Sequence, residues 1–332
     1  MQRTETRTSH APNTDLLLER PGHPLSQAVA ACVSALAILA LSAAFLLAGC
    51  AGSEKQSESQ AGQETPFSPT YYGSEFSAES AIGDDTARID ISHAQEGFFG
   101  ASATSTSRCK LQVSCGEQSY HYDLPEDGSP IVVPANMGNG SYKVRIMQNT
   151  TGDRYVELLS AETDVNLADE NDPFVRPNVI CDFDQNSACV KLAGELCAGA
   201  TTESEAFDAV YDYICTNITY DHAKADALAD ATGYVPNPDE TLESGSGICF
   251  DYASLTAAML RSQGIPTKIL TGYVAPDNVY HAWDMIYIDG SWISLHISAP
   301  PGQWARADMT FAANGAGDAI GDGSAYADRY TY

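Results

Sequence analysis

The amino-acid sequence predicts an α+β protein. An N-terminal β-sandwich is followed by a domain in which a cysteine-bearing helix packs on an antiparallel sheet. Two observations lead to this prediction. Short segments in which apolar and polar residues alternate, separated by turn residues, fill the chain between about residues 85 and 168. From residue 178 onward, helical periodicity comes first and strand-like runs follow, and such a segregated order is typical of α+β domains.

The predicted sandwich spans residues 85–168 and rests on two-residue alternation. Tyr142, Val144 and Ile146 alternate with polar residues, and Gly138-Asn139-Gly140 before them is a turn signal. Several short strands at this spacing indicate an immunoglobulin-like antiparallel sandwich. None of its residues suggests catalytic chemistry, so we expect it to serve as a spacer or a binding module.

One cysteine lies where a helix is predicted to begin. Cys249 follows Gly245-Ser246-Gly247, and in the run 250–263 apolar residues such as Leu255 and Met259 recur at spacings of three and four. The partial positive charge of a helix N-terminus favours a thiolate, and the free amides there can donate to an oxyanion. Cys249 is therefore a candidate nucleophile.

Strand-like runs at 268–274 and 281–288 follow this helix, and His281 opens the second of them. Asp289-Gly290 is a strong signal for a two-residue hairpin. If the chain returns there as an antiparallel strand, His296 shares the sheet face of His281, one diagonal step away. That position suits a residue that orients a catalytic imidazole.

Residues 245–296 resemble the catalytic core of the transglutaminase-like superfamily, which has a papain-like thiol fold. The matching pieces are Gly247-Ile248-Cys249-Phe250-Asp251-Tyr252, residues 260–266, Gly272-Tyr273, His281-Ala282-Trp283 and Asp289-Gly290-Ser291-Trp292. In that family the cysteine is a nucleophile, the histidine is a general base, and an aspartate on the third strand orients the histidine. The resemblance implies these roles for Cys249 and His281.

The third position departs from the family pattern, because His296 stands where the family has its aspartate. A neutral histidine can accept a hydrogen bond but brings no negative charge to stabilise the imidazolium. Several alternatives follow: His296 acts as the third catalytic residue, a Cys-His pair works alone with reduced activity, or another acid such as Asp308 replaces it. In a fourth alternative the thiol fold is an inactive scaffold.

The start of the chain has the pattern of a bacterial lipoprotein. Ala28 to Leu47 is almost entirely apolar, and Leu47-Ala48-Gly49-Cys50 resembles a lipobox, in which the cysteine is lipidated. We expect residues 1–49 to be a signal peptide and residues 50–84 to be a flexible tether. An uncleaved transmembrane anchor is the alternative. Either places the rest of the chain at the cell membrane, facing outside the cytoplasm.

The net charge of −27 excludes nucleic acid as a partner. The expected partners are a peptide or protein substrate and, through the lipid anchor, the membrane. Such acidity also favours cationic peptides, although solubility alone is the better explanation of it. No pair of Cys or His has zinc-finger spacing, so we expect neither a metal nor another cofactor.

The predicted transglutaminase-like domain covers residues 178–332 and begins with two helices. Thr202 with Glu205 has the form of a capping box at the start of the second helix. Residues 222–244 are expected to form a loop that shapes the cleft, and the tyrosine-rich chain end, around Tyr330, is expected to form a closing strand.

Nine cysteines are present, and six remain once Cys32, Cys50 and Cys249 are set aside. An even number outside the cytoplasm permits disulfides, and six cysteines allow 15 pairings. Cys197 and Cys215, which fall on adjacent predicted helices, are the most plausible pair.

Two functions are consistent with the sequence. In the first, a surface-anchored thiol enzyme acts on peptide amide bonds through a Cys-His thioester mechanism. The thioester meets either water, in a protease or amidase, or an amine, in a crosslinking transglutaminase, and the protease or amidase is slightly favoured. In the second, an impaired enzyme scaffold serves as a cell-surface binding or adhesion lipoprotein. His296 is the feature that favours the second.

Overall fold

The computed structural model describes residues 67–229, 231–288, 303–315 and 324–332. The predicted signal peptide, Cys50, the first part of the tether, Asp289-Gly290 and His296 therefore lie outside the described residues. Within the described ranges, no helix combines the length and the hydropathy that a bilayer-spanning helix requires.

Two four-stranded antiparallel sheets form the N-terminal part of the described chain. Their strands are β1 (Ile82–Gly83), β2 (Ala87–Asp90), β3 (Phe98–Ala103), β4 (Cys109–Cys115), β5 (Gln118–Leu124), β6 (Ile131–Pro134), β7 (Gly140–Thr151) and β8 (Arg154–Val165). The strand orders are β1-β2-β3-β6 and β5-β4-β7-β8. Inward-facing residues from both sheets, such as Ile89, Phe99 and Val144, are fully buried in one core. This arrangement is a β-sandwich.

Helices precede the sheet in the C-terminal part of the chain. The elements are α1 (Ala188–Leu196), α2 (Glu203–Asn217), β9 (Thr219–Tyr220), α3 (His222–Ala227), α4 (Pro238–Ser244), β10 (Ser246–Gly247), α5 (Cys249–Arg261), β11 (Thr267–Val274), β12 (Val279–Ile288), β13 (Gln303–Ala307), α6 (Met309–Ala313) and β14 (Tyr326–Thr331). The sheet is antiparallel, in the order β13-β12-β11-β14. Together with the sandwich, this confirms the predicted α+β class.

Helix α5 is the centre of this part of the fold. It packs against α1, α2, α4 and α6, as well as against strands β11 and β12. Leu255, Ala257 and Met259 have no exposed surface, and neither has Arg261 at the C-terminal end. The helix ends before Gly264, which has a φ of +84°, a conformation that favours glycine. Because α5 is surrounded on all sides, its first residue, Cys249, has a fixed position.

A buried arginine connects α5 to distant parts of the chain. The Arg261 guanidinium donates to the carbonyl oxygens of Thr267 at 2.8 Å, Tyr332 at 2.9 Å and Arg176 at 3.0 Å. A guanidinium carries five N–H donors in a fixed plane, so it can satisfy several buried carbonyl groups at once. Arg261 thereby links the end of the helix to the sheet, to the chain before α1 and to the last residue.

The predicted capping box at Thr202 and the predicted closing strand agree largely with the structure. The Thr202 hydroxyl accepts from the backbone N–H of Glu205 at 3.2 Å, and the Glu205 carboxylate accepts from the backbone N–H of Thr201 rather than of Thr202. The helix start at Thr202 is therefore confirmed, with the return bond shifted by one residue. The closing strand is confirmed as β14.

Two expectations are wrong, and a third lies outside the described residues. Residues 222–244 contain the helices α3 and α4 rather than a continuous loop. Strand β12 pairs with β13 on one edge and with β11 on the other, whereas residues 291–296, the predicted partner of 283–288, are outside the described part of the chain. Cys197 and Cys215 are both free thiols, because the Cys197 thiol is directed to the carbonyl oxygen of Ala206 within the helical layer.

Candidate active site

Cys249 is the first residue of α5, as predicted, and is half-buried. The chain enters the helix through β10, which pairs in parallel with β9. A side chain at Gly247 would place its Cβ 2.6 Å from the Cβ of Asp251, so only glycine allows this close approach. The Asp251 carboxylate accepts from the backbone N–H of Ile248 at 2.8 Å. These contacts fix the position of Cys249 at the start of the helix.

His281 lies on β12 and is only 6% exposed. Its ring is stacked on Phe311 of α6, with centroids 4.7 Å apart and an interplanar angle of 15°. Burial by itself would lower the pKa of His281. The charge of Cys249 and hydrogen bonds from His281 to Asp308 and to Cys249 outweigh that effect and raise the pKa to about 10. The imidazole is therefore held between a thiol and a carboxylate.

Asp308 is the carboxylate that contacts His281. It has no exposed surface, and its Oδ2 atom lies 2.8 Å from Nε2 of His281. The same oxygen accepts from the hydroxyl of Tyr326 at 2.9 Å, and Oδ1 accepts from the backbone N–H of Phe311 at 3.0 Å. Asp308 is the N-cap of α6, so the helix that stacks Phe311 on His281 also orients this carboxylate.

The register between β12 and β13 brings His281 and Asp308 together. Asp284 pairs with Ala307, so Asp308, the next residue, continues toward the His281 end of β12. The sequence raised Asp308 only as an alternative to His296. The structure places Asp308 in contact with His281, whereas His296 lies outside the described residues.

The arrangement provides the groups that thioester chemistry requires. Because Nε2 of His281 is directed to Asp308, Nδ1 is the ring nitrogen left to exchange a proton with the Cys249 thiol. A buried carboxylate beside the imidazole stabilises the imidazolium that forms when the thiol loses its proton. The amides of the first turn of α5 have no intrahelical acceptors, so they can donate to an oxyanion.

A cleft opens beside the thiol, and Cys249 and His281 lie in its lining. Apolar walls come from the start of α5, which contributes Ile248 and Phe250, and from the chain between α3 and α4, which contributes Tyr234. A substrate carbonyl in this cleft can reach both reactive groups. The segment 222–244 was expected to shape the cleft, but Tyr234 was not singled out. Tyr234 lies three residues before Asn237, the N-cap of helix α4.

A second buried acid, Asp284, lies close to the site. Neither of its carboxylate oxygens has a hydrogen-bond partner in the described part of the chain, and burial raises its pKa well above the ordinary value. The neighbouring Arg261 acts in the opposite direction, and Asp308 adds to the increase. Burial thus favours the protonated form of Asp284, and its side chain faces away from His281 because alternate residues of a strand point to opposite faces.

No group of three or more His, Cys, Asp or Glu side chains with the geometry of a metal site occurs among the described residues.

Comparisons with known proteins assign a family to part of this chain. Residues 190–297 match the model of the Transglutaminase-like superfamily. An uncharacterized protein of Mycobacterium leprae is 31% identical over 80 residues, which cover 21% of this chain and 29% of the relative. The chain thus spans less than a third of the length of that curated relative.

Two solved structures are similar to this chain. A proposed cysteine protease from Cytophaga hutchinsonii has a TM-score of 0.38 at 16% identity, covering 76% of this chain and 78% of that protein. Red sea bream transglutaminase has a TM-score of 0.29 at 13% identity, covering 65% and 48% respectively. The family match contains both Cys249 and His281, and the chain accordingly contains a transglutaminase-like domain.

Proposed function

We propose that this chain is a thiol enzyme that acts on peptide amide bonds. In this proposal Cys249 is the nucleophile, His281 is the general base and acid, and Asp308 orients His281. The observation that carries the proposal is the continuous contact from Cys249 through His281 to the buried carboxylate of Asp308. A thiol, an imidazole and a carboxylate in successive contact form the arrangement that activates a nucleophile for acyl transfer.

The reaction proceeds in two halves. His281 takes the thiol proton of Cys249, and the sulfur attacks the carbonyl carbon of the amide to form a tetrahedral oxyanion, which first-turn amides of α5 stabilise. The C–N bond then breaks as His281 returns the proton to the leaving nitrogen, and a thioester on Cys249 remains. An incoming nucleophile gives its proton to His281, attacks the thioester and releases the thiol.

We propose water as the principal acceptor, which makes the enzyme a protease or amidase. Transfer to an amine such as a lysine side chain is the alternative outcome, because the residues that form the thioester are the same for both reactions.

The contact between Asp308 and His281 also affects the alternative proposal, in which the chain is an inactive binding scaffold. The reason for that alternative was the absence of an aspartate at position 296. Asp308 supplies a buried carboxylate to His281 from another position, so this reason is weaker.

We further propose that the chain is anchored to the cell membrane through a lipid on Cys50 and faces outward. The support is the apolar segment that ends in Leu47-Ala48-Gly49-Cys50. A Cys50→Ala variant should be released into the medium or remain unprocessed, and it should not incorporate a radiolabelled fatty acid. Incorporation equal to that of the wild type would contradict the proposal.

A screen for turnover tests the proposed activity. The purified chain is incubated with a peptide library, and hydrolysis and incorporation of a fluorescent amine are measured in parallel. Cys249→Ala should abolish both reactions. Cys215→Ala is the matched control, because Cys215 is also a partly buried free thiol but lies on α2. If turnover persists in Cys249→Ala, or if no peptide or protein substrate reacts with the wild type, the proposal fails.

A further inference from the structure

Tyr234 forms one wall of the cleft beside Cys249. It belongs to the chain between α3 and α4, and Leu228 and Ala231 from the same segment also line the cleft. Phe250 of α5 and residues of the sheet also line the cleft. A group bound here lies next to the thiol and thus beside the carbonyl carbon that the thiol attacks.

A buried carboxylate holds the Tyr234 side chain in place. The hydroxyl donates to Oδ1 of Asp251, which has no exposed surface, and burial together with this carboxylate raises the pKa of Tyr234 far above its ordinary value. The Lys224 ammonium lies 2.7 Å from Oδ2 of Asp251 and 4.9 Å from the centre of the Tyr234 ring. The hydroxyl therefore remains a donor, and the ring is held against the cleft from two sides.

The lining of the cleft contains no Lys, Arg, Asp or Glu among the described residues, although the chain carries a net charge of −27. The two lining tyrosines direct their hydroxyl groups to protein partners, since Tyr280 donates to Thr271 at 2.9 Å and Tyr234 donates to Asp251. The surface of the cleft consists mostly of aromatic rings and aliphatic groups. Apart from Cys249 and His281 themselves, the described lining offers no group that could serve as a counter-charge, so a charged side chain beside them would lose hydration without a partner.

We propose that Tyr234 is a specificity-determining residue whose ring forms the wall of a subsite for an apolar or aromatic substrate side chain beside the reacting carbonyl. The inference rests on the proposed function, since it concerns the substrate of that same site. Asp251 and Lys224 are positioning residues, because they act through the Tyr234 ring.

The test uses the full-length chain in detergent and measures the rate at which chloroacetamides label Cys249. The reagents carry a phenylethyl, a carboxyethyl or an aminoethyl group on the amide nitrogen. Labelling needs a reachable thiol but no turnover, so the result is independent of whether the chain hydrolyses peptides. Mass spectrometry of the Cys249 peptide identifies the labelled site.

We expect the phenylethyl reagent to label the wild type about tenfold faster than either charged reagent, relative to their rates with free cysteine. Tyr234→Ala should reduce this preference to about twofold or less, and Tyr234→Phe should give an intermediate value because the ring is retained without its anchor. Val235→Ala is the matched control, since Val235 is 44% exposed and does not line the cleft.

A faster reaction of a charged reagent with the wild type would overturn the proposal. It would also be overturned if Tyr234→Ala kept the wild-type preference. A Tyr234→Phe variant equal to the wild type would show that Asp251 does not act through the ring. If the wild type hydrolyses no peptide but still prefers the phenylethyl reagent, the proposed enzymatic activity is refuted and the proposed subsite is retained.

Discussion

Replacing Asp308 by asparagine removes one negative charge beside His281 while keeping the size of the side chain. Asparagine is also a good N-cap, so its carbonyl oxygen can still accept from the backbone N–H of Phe311 and α6 should be retained. The substituted amide cannot stabilise an imidazolium as a carboxylate does. The expected result is a folded protein whose proton transfer between Cys249 and His281 is impaired.

The magnitude follows from the pKa of His281. A rise from 6.5 to about 10 corresponds to about 5 kcal/mol in favour of the imidazolium. Burial opposes this rise, and Cys249 and Asp308 together produce it. The part that Asp308 supplies is a buried, charge-assisted hydrogen bond, whose loss costs about 2 to 3 kcal/mol, so kcat should fall by about 30- to 150-fold.

The assay is steady-state hydrolysis of a peptide found in the screen, with circular dichroism to verify folding. Asp239→Asn is the matched control, because the Asp239 carboxylate accepts from the backbone N–H groups of Ala188 and Cys189, both at 2.9 Å, without contact to His281. A kcat for Asp308→Asn within threefold of the wild type would refute the assigned role. His296→Ala would then be the next variant, because His296 is the other candidate for the third position.

Three further predictions concern stability. The free energy of unfolding of the wild type, relative to His281→Gln, should decrease as pH rises from about 6.5 to about 10. The raised pKa of His281 lets the folded state keep a proton that the unfolded state has lost. Urea titrations across this pH range measure the difference between the two proteins, and a constant difference would contradict the prediction. Leu255→Ala removes a side chain without exposed surface and should cost about 2 to 5 kcal/mol in the same titration, whereas a loss below 1 kcal/mol would mean that the core collapses around the site. Arg261→Met leaves three carbonyl groups without their buried donor and should cost about 3 to 5 kcal/mol, with Arg329→Met as the more exposed control.

Local sequence signals were enough to locate the central helix and to place the candidate catalytic residues Cys249 and His281 on their elements. The apolar spacing after Cys249 predicted a helix that the structure has at Cys249–Arg261, and the runs at 268–274 and 281–288 correspond to β11 and β12. These signals work because periodicity in a short window reports directly which face of an element is buried. The contacts between elements are not encoded in such a window.

The third residue illustrates this limit. Asp308 is 27 positions from His281, and only the pairing of β12 with β13 brings them together. The hairpin rule favours the nearest possible return of the chain and therefore directed attention to residues 291–296 instead of to the strand 303–307. Strand β13 has the sequence Gln-Trp-Ala-Arg-Ala, which has little of the β-branched content that marks a strand.

Helix α4 was missed although its start carries a recognisable signal. Asn237 precedes Pro238, Asp239 and Glu240, and its side chain accepts from the backbone N–H groups of Asp239 and Glu240. Proline in the first turn and acids beside it are frequent at helix starts. Because of that signal, a helix can be predicted at the end of the segment before Cys249, after the connection that carries Tyr234.

The pairing of β12 with β13 has a consequence for how such a chain can diverge. His281 lies on β12, Asp308 directly follows β13 as the N-cap of α6, and the pairing of the two strands brings these side chains together. Insertions or deletions between positions 289 and 302 therefore leave the imidazole–carboxylate contact unchanged as long as the two strands keep their register. Related chains can differ greatly in the length of this connection and still share the same chemistry.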